Sequence, residues 1–325
     1  MRVATLSRPG RPGTRPASVG SMTDLAHDLR TVLDLARDLK RQGRRGLLPP
    51  LLAGRAVVLV LERNSTRTRV SFEIGIQRLG GVVSTLDQAS SQLSRGESLE
   101  DTAAVLGRYG DAIVHRARSH EAFLTVARHA GVPVINALTD REHPCQVLAD
   151  WMALEERWGA LEGRTFAYVG DGNNMCHSYL LGAPLAGMDV RVATPRGYAP
   201  EPAIVAEARR LAAAAGTRVE VLTDPRGAVR GADAVATDTW VSMGDDEETE
   251  RRLRDFRGFT VDEALLARAA PGAVFLHCLP GHWGQEATEG VAHGPRSLVY
   301  DQAEDRMWTQ MALLVHLLRP ARPAA

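Results

Sequence analysis

The 325-residue chain carries 39 Lys+Arg and 39 Asp+Glu, so its formal net charge is zero and no global field draws it to nucleic acid or an anionic membrane. It has no apolar run of transmembrane length, and its three cysteines, Cys145, Cys176 and Cys278, lie too far apart to suggest a disulfide framework or a metal site. What remains is a cytoplasmic protein with a small-molecule ligand, no metal and no cofactor, long enough for two domains.

Residues 1–22 hold Arg2, Arg8, Arg11 and Arg15, three prolines and no acid. Without an apolar face, this composition reads as a disordered extension rather than a transit peptide. From Thr23 the spacing of Leu25, Leu29, Val32, Leu33, Ala36 and Leu39 predicts an amphipathic helix, followed by a basic loop at residues 40–45. The apolar run Ala56–Leu61 reads as a buried parallel strand, and the spacing of Phe72, Ile76 and Leu79 as a helix. Between them stands Asn64-Ser65-Thr66-Arg67-Thr68-Arg69. A strand entering a helix there gathers free backbone N–H groups, hydroxyls and guanidinium groups at the positive end of the helix dipole, where a phosphate fits. On these residues alone, a plain N-cap with a solvated arginine face remains open.

Strands follow at residues 82–86, 111–114 and 133–137, with helices at 98–109 and 121–130 between them. Arg116 is expected just past the third strand, and His143-Pro144-Cys145-Gln146 opens a helix running to Trp158. A second series has strands at 166–170, 190–194, 219–222, 234–237 and 274–276, and a final helix at 302–318. Alternation of this kind means α/β architecture: two doubly wound parallel-sheet domains, 23–150 and 151–325, with an interdomain cleft and the last helix packing back on the first domain. Ligands of such sheets lie beyond the carboxyl ends of the strands, where Ser65, Thr66, Arg67, Thr68, Arg116, His143 and Gln146 all fall.

The loop Gly170-Asp171-Gly172-Asn173-Asn174 half matches a dinucleotide fingerprint, but the third glycine and the acid after the next strand are missing. Its asparagines suit a carboxylate instead. Asp238, with Ser242-Met243-Gly244, follows another strand and offers a carboxylate and a hydroxyl to an ammonium group, although a turn cap is equally open. His277 and Cys278 are adjacent on a strand and so point to opposite faces, which argues against a Cys–His nucleophile. Residues 245–250 read as a solvated acidic loop, and Trp240, Trp283 and Trp308 as core or cleft wall.

Ser65-Thr66-Arg67-Thr68-Arg69, His143-Pro144-Cys145-Gln146, Asp238 with Ser242-Met243-Gly244, and His277-Cys278-Leu279-Pro280 stand in the order and spacing of one family. From Asp24 to Leu318 the chain resembles the aspartate/ornithine carbamoyltransferases, and the Ser-Met-Gly and His-Cys-Leu-Pro elements resemble the ornithine branch. The resemblance implies a carbamoyl-phosphate site of Ser65, Thr66, Arg67, Thr68, Arg116, His143, Gln146 and Arg306, with Gln92 donated to a neighbouring subunit of a homotrimer. It implies an ornithine site of Asn174, Asp238, Ser242, Met243, Cys278 and Leu279, with Arg116, His143, Thr68 and Cys278 at the chemistry. The implied reaction, in arginine metabolism, is direct attack of the ornithine δ-amine on carbamoyl phosphate, giving citrulline and phosphate. Transfer to another primary amine, or ligand binding without catalysis, are the alternatives. Residues 281–284, and Asp305 where the family commonly has Asn, depart from the pattern and are expected on the acceptor side of the cleft.

Overall fold

Strands β1 (Ala56–Leu61), β2 (Val82–Asp87), β3 (Ala112–Arg116) and β4 (Val134–Leu138) form a parallel sheet in the order β2-β1-β3-β4. Strands β5 (Thr165–Val169), β6 (Asp189–Ala193), β7 (Val219–Leu222), β8 (Ala234–Thr237) and β9 (Val274–His277) form a second, in the order β7-β6-β5-β8-β9. This computed structural model describes residues 18–87, 96–241 and 248–318. Helices cover both sheets, so β1 and β3 are almost wholly buried and read as continuous apolar runs, whereas edge strand β2 leaves Val82 exposed.

Each sheet reverses its strand order once near the middle, between β1 and β3 in the first and between β5 and β8 in the second. At such a reversal the connections leave in opposite directions and open a crevice at the carboxyl ends. Leu61 pairs with Arg116 at the first crevice, and the second lies where β5 runs into Gly170 and β8 into Asp238.

The Pro144–Trp158 helix is buried from Pro144 through Glu155 and joins the two sheets. Position 150 lies inside it. The Val299–Leu318 helix packs on this helix, on the Leu29–Arg44 helix and on the Thr66–Arg78 helix, so the far end of the chain completes the first sheet's surroundings.

Two expectations need correction. Residues 18–22 are not part of an extension: Val19 exchanges backbone hydrogen bonds with Val134 and Asn136 beside β4, Ser21 caps the Met22–Leu25 turn, and Met22 is fully buried. Residues 40–44 are not a loop either, because the helix runs on to Arg44. Arginine, lysine and glutamine favour helix, and Gly43 is there because a Cβ would fall 2.3 Å from the Trp308 ring. Residues 1–17, and with them most of the expected extension, lie outside the described residues.

Candidate active site

Ser65 is the N-cap of the Thr66–Arg78 helix: its hydroxyl accepts from Thr68 N–H and donates to Thr68 Oγ1 at 3.0 Å. The helix N-terminus therefore opens at the end of β1, beside Arg116 at the end of β3. These groups line a cavity of about 660 Å³ between the two sheets. Ser65, Thr66, Arg67, Thr68, Arg116, His143 and Arg306 all face it, as do Arg63 and Asn64. Arg67, Arg116 and Arg306 have no carboxylate partner among the described residues, and three such guanidinium groups around one space suit an anion.

Electrostatics supports this. Arg116 is 5% exposed; burial, then the charge of Arg306, with Arg63 and Arg67 adding, pushes its guanidinium down to about 10. It stays protonated at neutral pH but is destabilised until an anion arrives. Burial, with Arg306, Arg116 and Arg67, holds His143 well below the usual imidazole range, so the ring is neutral. Arg306 Nη1 lies 3.2 Å from His143 Nε2, and Arg306 Nη2 donates to Thr68 Oγ1 at 3.1 Å. With the guanidinium donating, His143 Nε2 is the acceptor and the ring proton sits on Nδ1, which has no protein partner among the described residues.

Gln146 does not line the cavity. Fully buried, it stands behind Arg306 and accepts from Nη1 at 2.5 Å, instead of presenting its amide at the rim. Asp305 likewise is not on the acceptor side, for it turns away to Lys40 at 2.5 Å. The side chain follows charge: Lys40 is buried and Asp305 is its counter-ion.

The opposite wall comes from the second sheet. Asn173 caps the Asn174–Leu185 helix through Oδ1 and donates from Nδ2 to Asp238 Oδ2 at 2.8 Å. Asn174 lines the cavity with its amide donated to the Thr139 carbonyl at 2.6 Å, tying the two lobes together. Asp238 Oδ1 accepts from Cys278 Sγ–H at 2.9 Å. Burial, then Asp238, pushes the Cys278 thiol well above its ordinary range, so it is a neutral donor and not a thiolate. Leu279 adopts φ 59, a left-handed conformation that costs a branched residue about 1–3 kcal/mol. It is held by its N–H on His277 Nδ1 at 2.9 Å, and His277 in turn by Glu286 at 3.1 Å. That turn brings Cys278, Leu279 and Pro280 all to the cavity wall. Gln92, Ser242 and Met243 lie outside the described residues.

Arg63, Thr139, Asp140 and Thr239 line the cavity although the sequence did not single them out; Asp171 lines it from the loop weighed for a dinucleotide, and His282 from the 281–284 stretch expected on the acceptor side. Arg63, Thr139, Asp140, Asp171 and Thr239 follow the ends of β1, β4, β5 and β8, so the strand-end rule applied to every strand would have found them. Gly172 has a structural reason: a Cβ would fall 2.4 Å from Pro200 N, so the loop's glycine serves backbone packing rather than a dinucleotide.

A cluster of guanidinium groups and a cluster of carboxylate and amide groups thus share one chamber. Residues 18–156 match the aspartate/ornithine carbamoyltransferase carbamoyl-P binding domain, and residues 162–317 match the Asp/Orn binding domain of the same family. The chain belongs to the aspartate/ornithine carbamoyltransferase family. Among its relatives is the ornithine carbamoyltransferase of Acidothermus cellulolyticus, 53% identical over 290 residues, covering 89% of this chain and 92% of the relative. That of Methanoculleus marisnigri is 50% identical over 292 residues, covering 90% and 93%. The solved ornithine carbamoyltransferase from Pyrococcus furiosus superposes with a TM-score of 0.89 at 43% identity, over 92% of this chain and 96% of that one. As in other carbamoyltransferases of this architecture, the chain has two parallel-sheet α/β domains.

Proposed function

We propose that this carbamoyltransferase moves the carbamoyl group of carbamoyl phosphate to the δ-amine of L-ornithine, giving L-citrulline and phosphate. The observation that carries the reading is one cavity with Arg63, Arg67, Arg116 and Arg306 at one pole and Asp238 with Asn173 and Asn174 at the other. The first suits a phosphate dianion and the second an amino acid's charged end groups, with the reacting carbonyl between them.

In this reading the lobe up to Trp158 holds carbamoyl phosphate and the lobe from Thr165 holds ornithine. Backbone N–H groups of residues 65–68, with Arg67 and Arg306, stabilise charge growing on the departing phosphate. Arg116, Thr68 and neutral His143 donate to the carbonyl oxygen as it becomes an oxyanion, each contributing on the order of 2–4 kcal/mol. Asp238, Ser242, Met243 and Asn174 hold the α-amino and carboxylate groups, and Cys278 and Leu279 border the nucleophile.

A free amine of this type is neutral only about one part in a thousand at pH 7.4. Exclusion of water around Cys278 and Leu279 favours the uncharged form, and the phosphate accepts its proton. No covalent enzyme intermediate is needed. The protein works in the cytoplasm, in arginine metabolism, as a homotrimer in which Gln92 reaches a neighbour's cavity; among the described residues no helix is long and apolar enough to cross a membrane.

The test is an assay with carbamoyl phosphate and a panel of amines, measuring phosphate release and ureido product. Ornithine should be turned over far faster than shorter or longer diamino acids, and the rate should rise about tenfold per pH unit until the bound amine is deprotonated. Turnover with a different amine, or a rate indifferent to pH from about 6 to 9, would overturn the reading.

A further inference from the structure

Behind Arg306 lies a chain of buried polar groups that reaches into the other lobe. Gln302 Nε2 donates to the carbonyls of His277 at 2.8 Å and Val299 at 2.7 Å, so Gln302 Oε1 must face Gln146, to which it is hydrogen-bonded. Gln146 Nε2 then faces two acceptors, Gln302 Oε1 and Asp150 Oδ1, the latter at 3.0 Å. Its own Oε1 is left for Arg306 Nη1. The second Asp150 oxygen accepts from the Tyr179 hydroxyl at 2.7 Å. Gln146, Asp150, Tyr179 and Gln302 are all buried, and none lines the cavity. The direction of every amide in the chain is therefore forced by its neighbours.

Building on the carbamoyl-phosphate reading, we propose that Asp150 and Tyr179 are positioning residues: the carboxylate, anchored by the phenol, fixes the Gln146 amide and through it presents the Arg306 guanidinium to the substrate phosphate. The direct partners of Arg306 are Thr68 Oγ1, His143 Nε2 and Gln146 Oε1, all neutral. Burial lowers its basicity and Arg67 adds repulsion; the carboxylate that acts against them is Asp150, one amide away. A buried cation without a touching anion needs such support to hold one geometry. The chain also crosses the cleft, since Tyr179 belongs to the Asn174–Leu185 helix whose first residue lines the acceptor wall.

The role has a pH signature. Burial pushes the Asp150 carboxyl up to about 7, while hydrogen bonds from Tyr179 and Gln146 and the charges of Arg306 and His277, the groups facing it from the neighbouring elements, pull it down. Below that pH Asp150 takes up a proton and Arg306 loses its distant counter-charge. The KM for carbamoyl phosphate should then rise as pH falls.

The experiment is steady-state kinetics of the full-length protein with saturating ornithine, at pH from about 6 to 8.5, on wild type, Asp150→Asn and Tyr179→Phe. Asp150→Asn should raise the KM for carbamoyl phosphate about tenfold at pH 8 with a smaller loss of kcat, and its KM should lack the acid limb. Tyr179→Phe removes a bond that lowers the Asp150 pKa, so its limb should move to higher pH, which decides the matter even if the Asn variant fails to fold. An unchanged KM and an acid limb that persists in Asp150→Asn, or a Tyr179→Phe limb that stays in place, would overturn the inference alone. Absence of carbamoyl-phosphate turnover in the wild type would overturn the functional reading beneath it.

Discussion

Lys40 Nζ and Asp305 Oδ1 meet at 2.5 Å inside the protein, one residue ahead of Arg306. Burial opposes the charge on Lys40, but its bonds to Asp305 and Glu156 prevail and leave its pKa raised. Removing one partner of a buried pair leaves the other uncompensated. Lys40→Met should therefore cost about 3–5 kcal/mol of stability, and Lys40→Met with Asp305→Asn together distinctly less. Urea denaturation of the single and double variants measures this, and additive losses would refute the coupling.

At the acceptor wall, Asp238 holds Asn173 and the Cys278 thiol at the same time. Asp238→Ala should raise the KM for the amine about tenfold or more and leave that for carbamoyl phosphate nearly unchanged. Equal effects on both substrates in steady-state assays would move Asp238 out of the amine site.

Because Cys278 is neutral, it should react with iodoacetamide at pH 8 more slowly than a free thiol does. Cys278→Ser should keep measurable turnover, and mass spectrometry of quenched enzyme should find no carbamoyl adduct at this position. A stoichiometric adduct would replace direct amine attack with a two-step transfer.

Glu142 accepts from Met22 N–H at 3.0 Å, and burial pushes its carboxyl from 4.5 up to about 7. An acid whose pKa is raised by folding contributes stability that is complete below about 4.5 and is lost as pH rises through about 7. The loss is up to about 3 kcal/mol, so Glu142→Gln should flatten the thermal-stability profile between those pH values. Profiles that remain parallel would show that another group sets the slope.

Ser65, Thr68, Arg67 and Arg116 were legible because their positions follow from local rules: a hydroxyl caps a helix, and a strand end faces the ligand. Gln146 and Asp305 were misplaced because only tertiary packing says which way a side chain on a buried helix turns. Gln146 follows Arg306, and Asp305 follows Lys40, a residue far away in sequence. The helical run through residues 40–44 was hidden for the same reason: its basic residues look like a loop until their acidic partners Asp38, Glu156, Glu304 and Asp305 are in place. The short Pro225–Val229, Glu263–Leu266 and Glu289–Ala292 helices carry too few buried positions for a clear period.

The Val299–Leu318 helix has a consequence for synthesis. On the ribosome the first four strands can emerge long before residue 306 is translated, yet the Arg306 guanidinium that lines their cavity arrives only with that helix. Until this helix is made, the first lobe lacks the helices' packing partner and the Arg306 wall of its cavity, and on the carbamoyl-phosphate reading a message that stops short of it yields a product without one of the groups expected to hold the phosphate.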